Sequence, residues 1–194
     1  MRRLVKVIVA LTTIIGALIL VPATTHAAPS SVNHITYQFF VGAAPVEGPD
    51  VSTAPDGSTL TMTGAGQFDA GPNKSVSGGG DYMIQDASGA TTASGSWTAT
   101  QMLGFVNYGS GAVQGAPSFF YGGQVQMKVD LDGLGSGLLN INCTLGTPPP
   151  GHNGPLNASG DPDEEGIDLQ MGNGLTFNRE VSGETLFINP AQAP

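Results

Sequence analysis

The chain has 194 residues and carries 6 Lys and Arg against 15 Asp and Glu, a net charge of −9. So acidic a composition lacks the clustered basic residues that hold phosphate backbones or anionic bilayers, which argues against nucleic acid and membrane surfaces as partners. A single cysteine, Cys143, rules out an internal disulfide, so stability must come from burial.

The first residues read as an export signal. Arg2, Arg3 and Lys6 supply positive charge, an apolar run from Val7 to Val21 follows, and Thr25-His26-Ala27 offers small residues at a cleavage site. Cleavage is expected after Ala27, leaving residues 28–194 as one domain in the extracellular space or cell envelope. The apolar run is short for a membrane span, and no cysteine follows it to carry a lipid. Removal of the signal leaves Lys74, Lys128 and Arg179 as the only Lys and Arg, with no membrane attachment expected.

Along the remaining chain, apolar residues recur at every second position, the period of a strand with one face buried. Ile35, Tyr37, Phe39 and Val41 form one such set, Leu60, Met62, Gly64, Gly66 and Phe68 a second, and Tyr82 with Ile84 a third. Ala93, Gly95, Trp97 and Ala99 continue, with Leu103 placed on the same face. Val125, Met127, Val129 and Leu131 alternate with Gln124, Gln126, Lys128 and Asp130. Leu139 to Leu145, Ile167 to Met171, Leu175 to Phe177 and Thr185 to Ile188 complete eight or nine strands.

No segment sustains a helical period. Asp86-Ala87-Ser88-Gly89 and the glycine-rich run 132–137 sit between alternating segments and predict hairpin loops. Gly64, Gly66 and Gly95 lie within strands, where glycine permits sharp bending. The expected fold is therefore all-β: a single antiparallel domain of about eight strands, closed or nearly closed into a barrel, with a two-sheet β-sandwich as the alternative. The longest irregular stretch, the Pro- and Gly-rich loop 146–166, is of a length often tied to function.

Catalytic and cofactor motifs are missing. No Gly-x-Ser-x-Gly, His-Glu-x-x-His, Cys-x-x-Cys, Gly-x-Gly-x-x-Gly or Gly-Lys-Ser/Thr occurs, so no cofactor is expected. Two histidines follow the signal, His34 and His152, and the loop position of His152 makes it the better candidate for a ligand contact. Phe119, Phe120 and Tyr121 lie between Gly- and Pro-rich stretches and suit a pocket rim for a small apolar or carbohydrate ligand. Asp161, Asp163 and Glu165 precede Gly166 in an oxygen-rich turn that suits calcium, although the twelfth position, Gly172, lacks the Glu of an EF-hand. The plainer reading of that cluster is a solvated acidic loop. Cys143 alternates with Leu139, Ile141 and Leu145 and is expected to be a buried thiol.

The segments 64–68, 75–80 and 93–99, together with Val181-Ser182-Gly183-Glu184-Thr185-Leu186-Phe187, resemble a group of secreted glycine-rich β proteins with no assigned activity. The resemblance implies a β fold and no functional residue. Abundant structure with little recognisable chemistry points to a secreted, non-enzymatic binding or surface-interaction protein. The alternative is a small cofactor-free β-barrel hydrolase or isomerase using His152 or a carboxylate.

Overall fold

The computed structural model describes residues 35–194 except 153, 158 and 162–164. The export signal with its cleavage site, His34 and Asp163 therefore lie outside the described residues. Within them, eleven strands form one antiparallel sheet: β1 (Thr36–Val41), β2 (Asp50–Thr53), β3 (Thr59–Asp69), β4 (Val76–Gln85), β5 (Thr91–Ser110), β6 (Phe120–Leu131), β7 (Gly135–Cys143), β8 (Gly166–Met171), β9 (Thr176–Phe177), β10 (Arg179–Ser182) and β11 (Thr185–Ile188). A single 3-10 turn, Gly111–Gln114, follows β5. No helix among the described residues is long and apolar enough to cross a membrane.

The strand count exceeds the expected eight or nine because β2 and β10, which show no apolar alternation, are strands as well. β1 and β2 both pair with the same edge of β3, with residues 42–49 looping out between them. The C-terminal run is likewise divided, so that β9 pairs with β8, β10 with β2, and β11 with β1.

The pairing closes on itself. β1 pairs with β3, β3 with β4, β4 with β5, β5 with β6, β6 with β11, and β11 returns to β1. β7, β8 and β9 extend from β6, and β2 and β10 extend from β3, so the ring is not a clean barrel. Register shifts in β5 between Ala99 and Gln101, Met102 and Gly104, and Asn107 and Gly109 bend this long strand. The first shift also moves the buried position expected at Leu103 to Met102, which is fully enclosed.

Most of the alternating residues form the core: Tyr37, Phe39, Val41, Leu60, Met62, Phe68, Trp97, Val125, Met127, Val129 and Leu131 are buried, whereas Ile35, which precedes β1, is exposed. Tyr37, Phe68, Phe105 and Phe187 pack as an aromatic cluster with ring centroids 4.8–5.7 Å apart. Strand glycines make room for these rings. A Cβ at Gly64 would stand 2.4 Å from Cζ2 of Trp97, and one at Gly66 would stand 2.6 Å from Cζ of Phe39. The Trp97 indole, which fills the space beside Gly64, donates from Nε1 to the Thr63 carbonyl at 3.0 Å.

Replacing Gly64 with Ala should therefore cost about 1–3 kcal/mol, the usual penalty for overpacking a filled interior. At Gly104 an added Cβ meets nothing within 4 Å, and Gly104→Ala should change stability by no more than about 0.5 kcal/mol. Urea unfolding followed through Trp97 fluorescence measures both, and equal losses would refute the packing account.

Candidate functional site

Two neighbouring features of the ring carry chemistry: an open cleft and a buried carboxylate group behind it. The cleft, of about 290 Å³, is lined by Pro45, Val46, Ala116, Phe120, Leu145 and Leu186 on its apolar side and by Glu165, Glu184 and Thr185 on its polar side. Its parts come from the 42–49 loop-out, the entry to β6, the segment after β7 and the start of β11. Those pieces meet because β7 ends at Cys143 and lets β11 pair directly with the first residues of β6, Phe187 opposite Tyr121 and Ile188 opposite Phe120.

Glu165 is fastened at the back of the cleft. Its Oε1 accepts from the Thr185 N–H at 3.0 Å, and its Oε2 accepts from Thr144 Oγ1 at 3.0 Å. Burial raises this carboxyl above its ordinary value, with the Thr185 and Thr144 donors offsetting part of the rise. Beside it the Thr185 hydroxyl donates to the Asn142 carbonyl at 2.7 Å, and the Tyr108 hydroxyl donates to Asn142 Oδ1 at 2.8 Å. Cys143 is fully buried, and burial reinforced by Glu165 pushes its thiol up to about 12, which leaves it inert.

Behind Glu165 lie Asp50 and Ser52 of β2, both fully buried, and Glu180 of β10, which stands opposite Ser52 in the strand register. Both carboxylate oxygens of Asp50, both of Glu180 and the Ser52 hydroxyl lack a hydrogen-bond partner among the described residues. Burial, then the Glu165 charge, pushes Asp50 up to about 8. Burial, then Asp50, pushes Glu180 up to about 9. Nearby peptide N–H groups, that of Gly42 for Asp50 and those of Ile167 and Ser182 for Glu180, pull the other way and are outweighed.

The residues singled out by sequence are distributed differently. Phe120 lines the cleft and its neighbours do not; Tyr121, the next residue of β6, points to the opposite side as successive strand side chains do. Tyr121 packs against Tyr37 with centroids 5.4 Å apart, and its hydroxyl donates to Gln192 Oε1 at 2.9 Å. Phe119 meets Phe120 edge-on at 4.9 Å. His152 lies against Tyr108 at 5.5 Å, outside the cleft lining.

Asp161 is engaged in a local turn, where Asn157 Nδ2 donates to its Oδ2 at 3.3 Å and its own N–H donates to Asn157 Oδ1 at 2.9 Å. Glu165 is held by Thr144 and Thr185, and Asp163 is not among the described residues. No three His, Cys, Asp or Glu side chains among those residues converge as a metal-binding group.

Asp50, Ser52, Glu180 and Glu184 were not singled out by sequence. Asp50-Val51-Ser52-Thr53 has no apolar alternation to mark it as a strand, yet Asp50 and Ser52 are its buried pair and Val51 is only half-buried. The fold and the cleft thus define an all-β ring with an amphipathic opening at the split between β7 and β11. Comparison with known protein families, with curated proteins and with solved structures gives no match.

Burial raises Glu165 and Asp168 as well, but Asp50 and Glu180 move furthest and set the sign of a pH dependence. The folded chain keeps protons that the unfolded chain releases above about pH 4, so this stabilisation is complete below that pH and is lost as pH rises through about 8 and 9. In chelator, stability should fall between pH 5 and 9.5 with a slope approaching at most about 1.4 kcal/mol per pH unit for each group. Asp56 and Asp86, lowered chiefly by hydrogen bonds from Ser58 and Ser88, affect only the acid end. Thermal melts across this range should show the fall in the wild type and a flattened profile in Asp50→Asn/Glu180→Gln. A stability that rises with pH in the wild type would contradict the assignment.

Proposed function

We propose that this is an exported, non-enzymatic binding module whose ligand is a small, largely apolar molecule bearing a hydrogen-bond donor. The observation that carries the reading is the cleft itself: an apolar wall of Pro45, Val46, Phe120, Leu145 and Leu186 facing a fixed carboxylate, Glu165. Small-molecule sites combine a mostly apolar lining with a few placed polar groups, and pockets with perturbed carboxyls are favoured places for them. Export rests on the amino-terminal sequence, and the acidic composition argues against nucleic acid as the ligand.

One observation favours a second reading. A carboxyl raised by burial at the edge of an apolar cleft is suited to proton transfer, so Glu165 would be the acid–base group of a cofactor-free hydrolase or isomerase.

Isothermal titration and native mass spectrometry with a panel of amphipathic amines, alcohols and sugars separate the two. Binding should weaken at least about tenfold in Phe120→Ala, the loss of roughly one well-packed aromatic contact. It should persist in Val113→Ala, whose side chain is exposed and outside the cleft. A ligand recovered unchanged supports the binding module. A ligand converted to product, with conversion lost in Glu165→Gln, overturns it in favour of the enzyme, and binding indifferent to Phe120→Ala overturns the cleft assignment.

A further inference from the structure

Among the described residues, the buried side-chain oxygens without a hydrogen-bond partner are the five carried by Asp50, Ser52 and Glu180, and they belong to one neighbourhood. Elsewhere the interior is apolar or paired, as Asn142, Tyr108 and Thr185 are. Burying one unpaired polar group costs a few kcal/mol and an unpaired carboxylate more, so a concentration of orphaned oxygens calls for an explanation. The Ser52 hydroxyl is a donor able to serve either carboxylate, yet it closes on neither. Among the described residues no basic side chain pairs with them: Lys74 donates to the Leu103 carbonyl, His152 lies against Tyr108, and Lys128 and Arg179 are exposed.

The main chain is shaped around these carboxylates. Gly166 and Gly183 adopt φ of +129° and +119°, conformations that side-chain-bearing residues rarely take. A Cβ at Gly166 would fall 2.0 Å from Glu180 Oε2, and one at Gly183 would fall 2.9 Å from Asp50 Oδ1. Two glycines from different segments thus clear the space that the acidic groups occupy. Glu165 and Glu184 add negative charge around Asp50, which favours a positively charged guest.

We infer that Asp50, Ser52 and Glu180 form a binding site for a hard divalent cation, calcium, distinct from the cleft and from the Asp161 turn. Calcium takes six to eight oxygen ligands in flexible geometry, with carboxylates binding through one or both oxygens, whereas magnesium demands a near-octahedral set and keeps its waters. Two carboxylates and a hydroxyl supply up to five oxygens, and main-chain carbonyls or water complete the set. A site with only two acidic ligands belongs in the weak range of extracellular modules, about 10⁻⁴–10⁻³ M. Binding displaces the protons that otherwise neutralise the pair, so affinity strengthens as pH rises.

The test is thermal unfolding of the chelator-treated protein at pH 7.5 with calcium, magnesium or sodium chloride at matched ionic strength. Calcium at 10 mM should raise the midpoint by about 3–8 °C and saturate, with a much smaller effect of magnesium. Asp50→Asn and Glu180→Gln, which remove charge while keeping shape and therefore favour folding, should each abolish the calcium shift. Asp161→Asn should retain it. Identical midpoints in calcium and chelator, or a calcium shift that survives Asp50→Asn, would overturn the assignment. Loss of the shift in Asp161→Asn alone would overturn it in favour of the acidic turn.

Discussion

Everything else in the structure depends on β11 being paired on both edges. Thr185–Ile188 joins β1 on one side and the first residues of β6 on the other, which turns a long meander into a ring. Phe187 points into the aromatic cluster from that strand and is fully buried. Without the double pairing, β1 and β6 would both present open ladders of peptide groups, and the cluster would lose one wall. The cleft has the same origin, since it exists because β7 stops at Cys143 and yields its place beside β6 to β11.

The interior follows from a trade between glycine and aromatic residues. Strand glycines weaken pairing through backbone entropy, yet at Gly64, Gly66 and Gly123 the missing side chain is the space occupied by Trp97, Phe39 and Phe105. Large rings bury much apolar area per residue, which offsets the weaker strands. A ring built this way needs no disulfide, in keeping with the single buried thiol. Where the apolar lining ends, the chain places acids instead of a last hydrophobic layer, and the stability of that end becomes linked to protons.

How much was legible in the sequence depended on whether the side-chain period matched the chemistry of each face. Val125 to Leu131 and Tyr37 to Val41 alternate cleanly and form buried faces as expected. The 86–89 turn closes its hairpin with Asp86 Oδ1 accepting from the Ser88 and Ala90 N–H groups at 2.9 and 3.0 Å. Leu103 was misplaced because a bulge resets the period without any mark in residue type. Asp50 and Ser52 were missed because inward polar residues look the same as outward ones until the fold assigns the faces. Phe120 and Tyr121 cannot share one rim, because the alternation that makes β6 a strand sends their side chains to opposite sides.

The double pairing of β11 also orders events in time. The strands from β3 to β6 are neighbours in sequence and can pair by local hairpins as they become available, which is the fast part of folding. β1 finds one partner early in β3, but its other edge, and the β11-facing edge of β6, stay open until residues 185–188 arrive. A chain that has not yet supplied residues 185–188 would be an unclosed sheet with a sticky rim. The ring would shut only when that last strand docks, in a late step that joins the beginning of the sheet to its end.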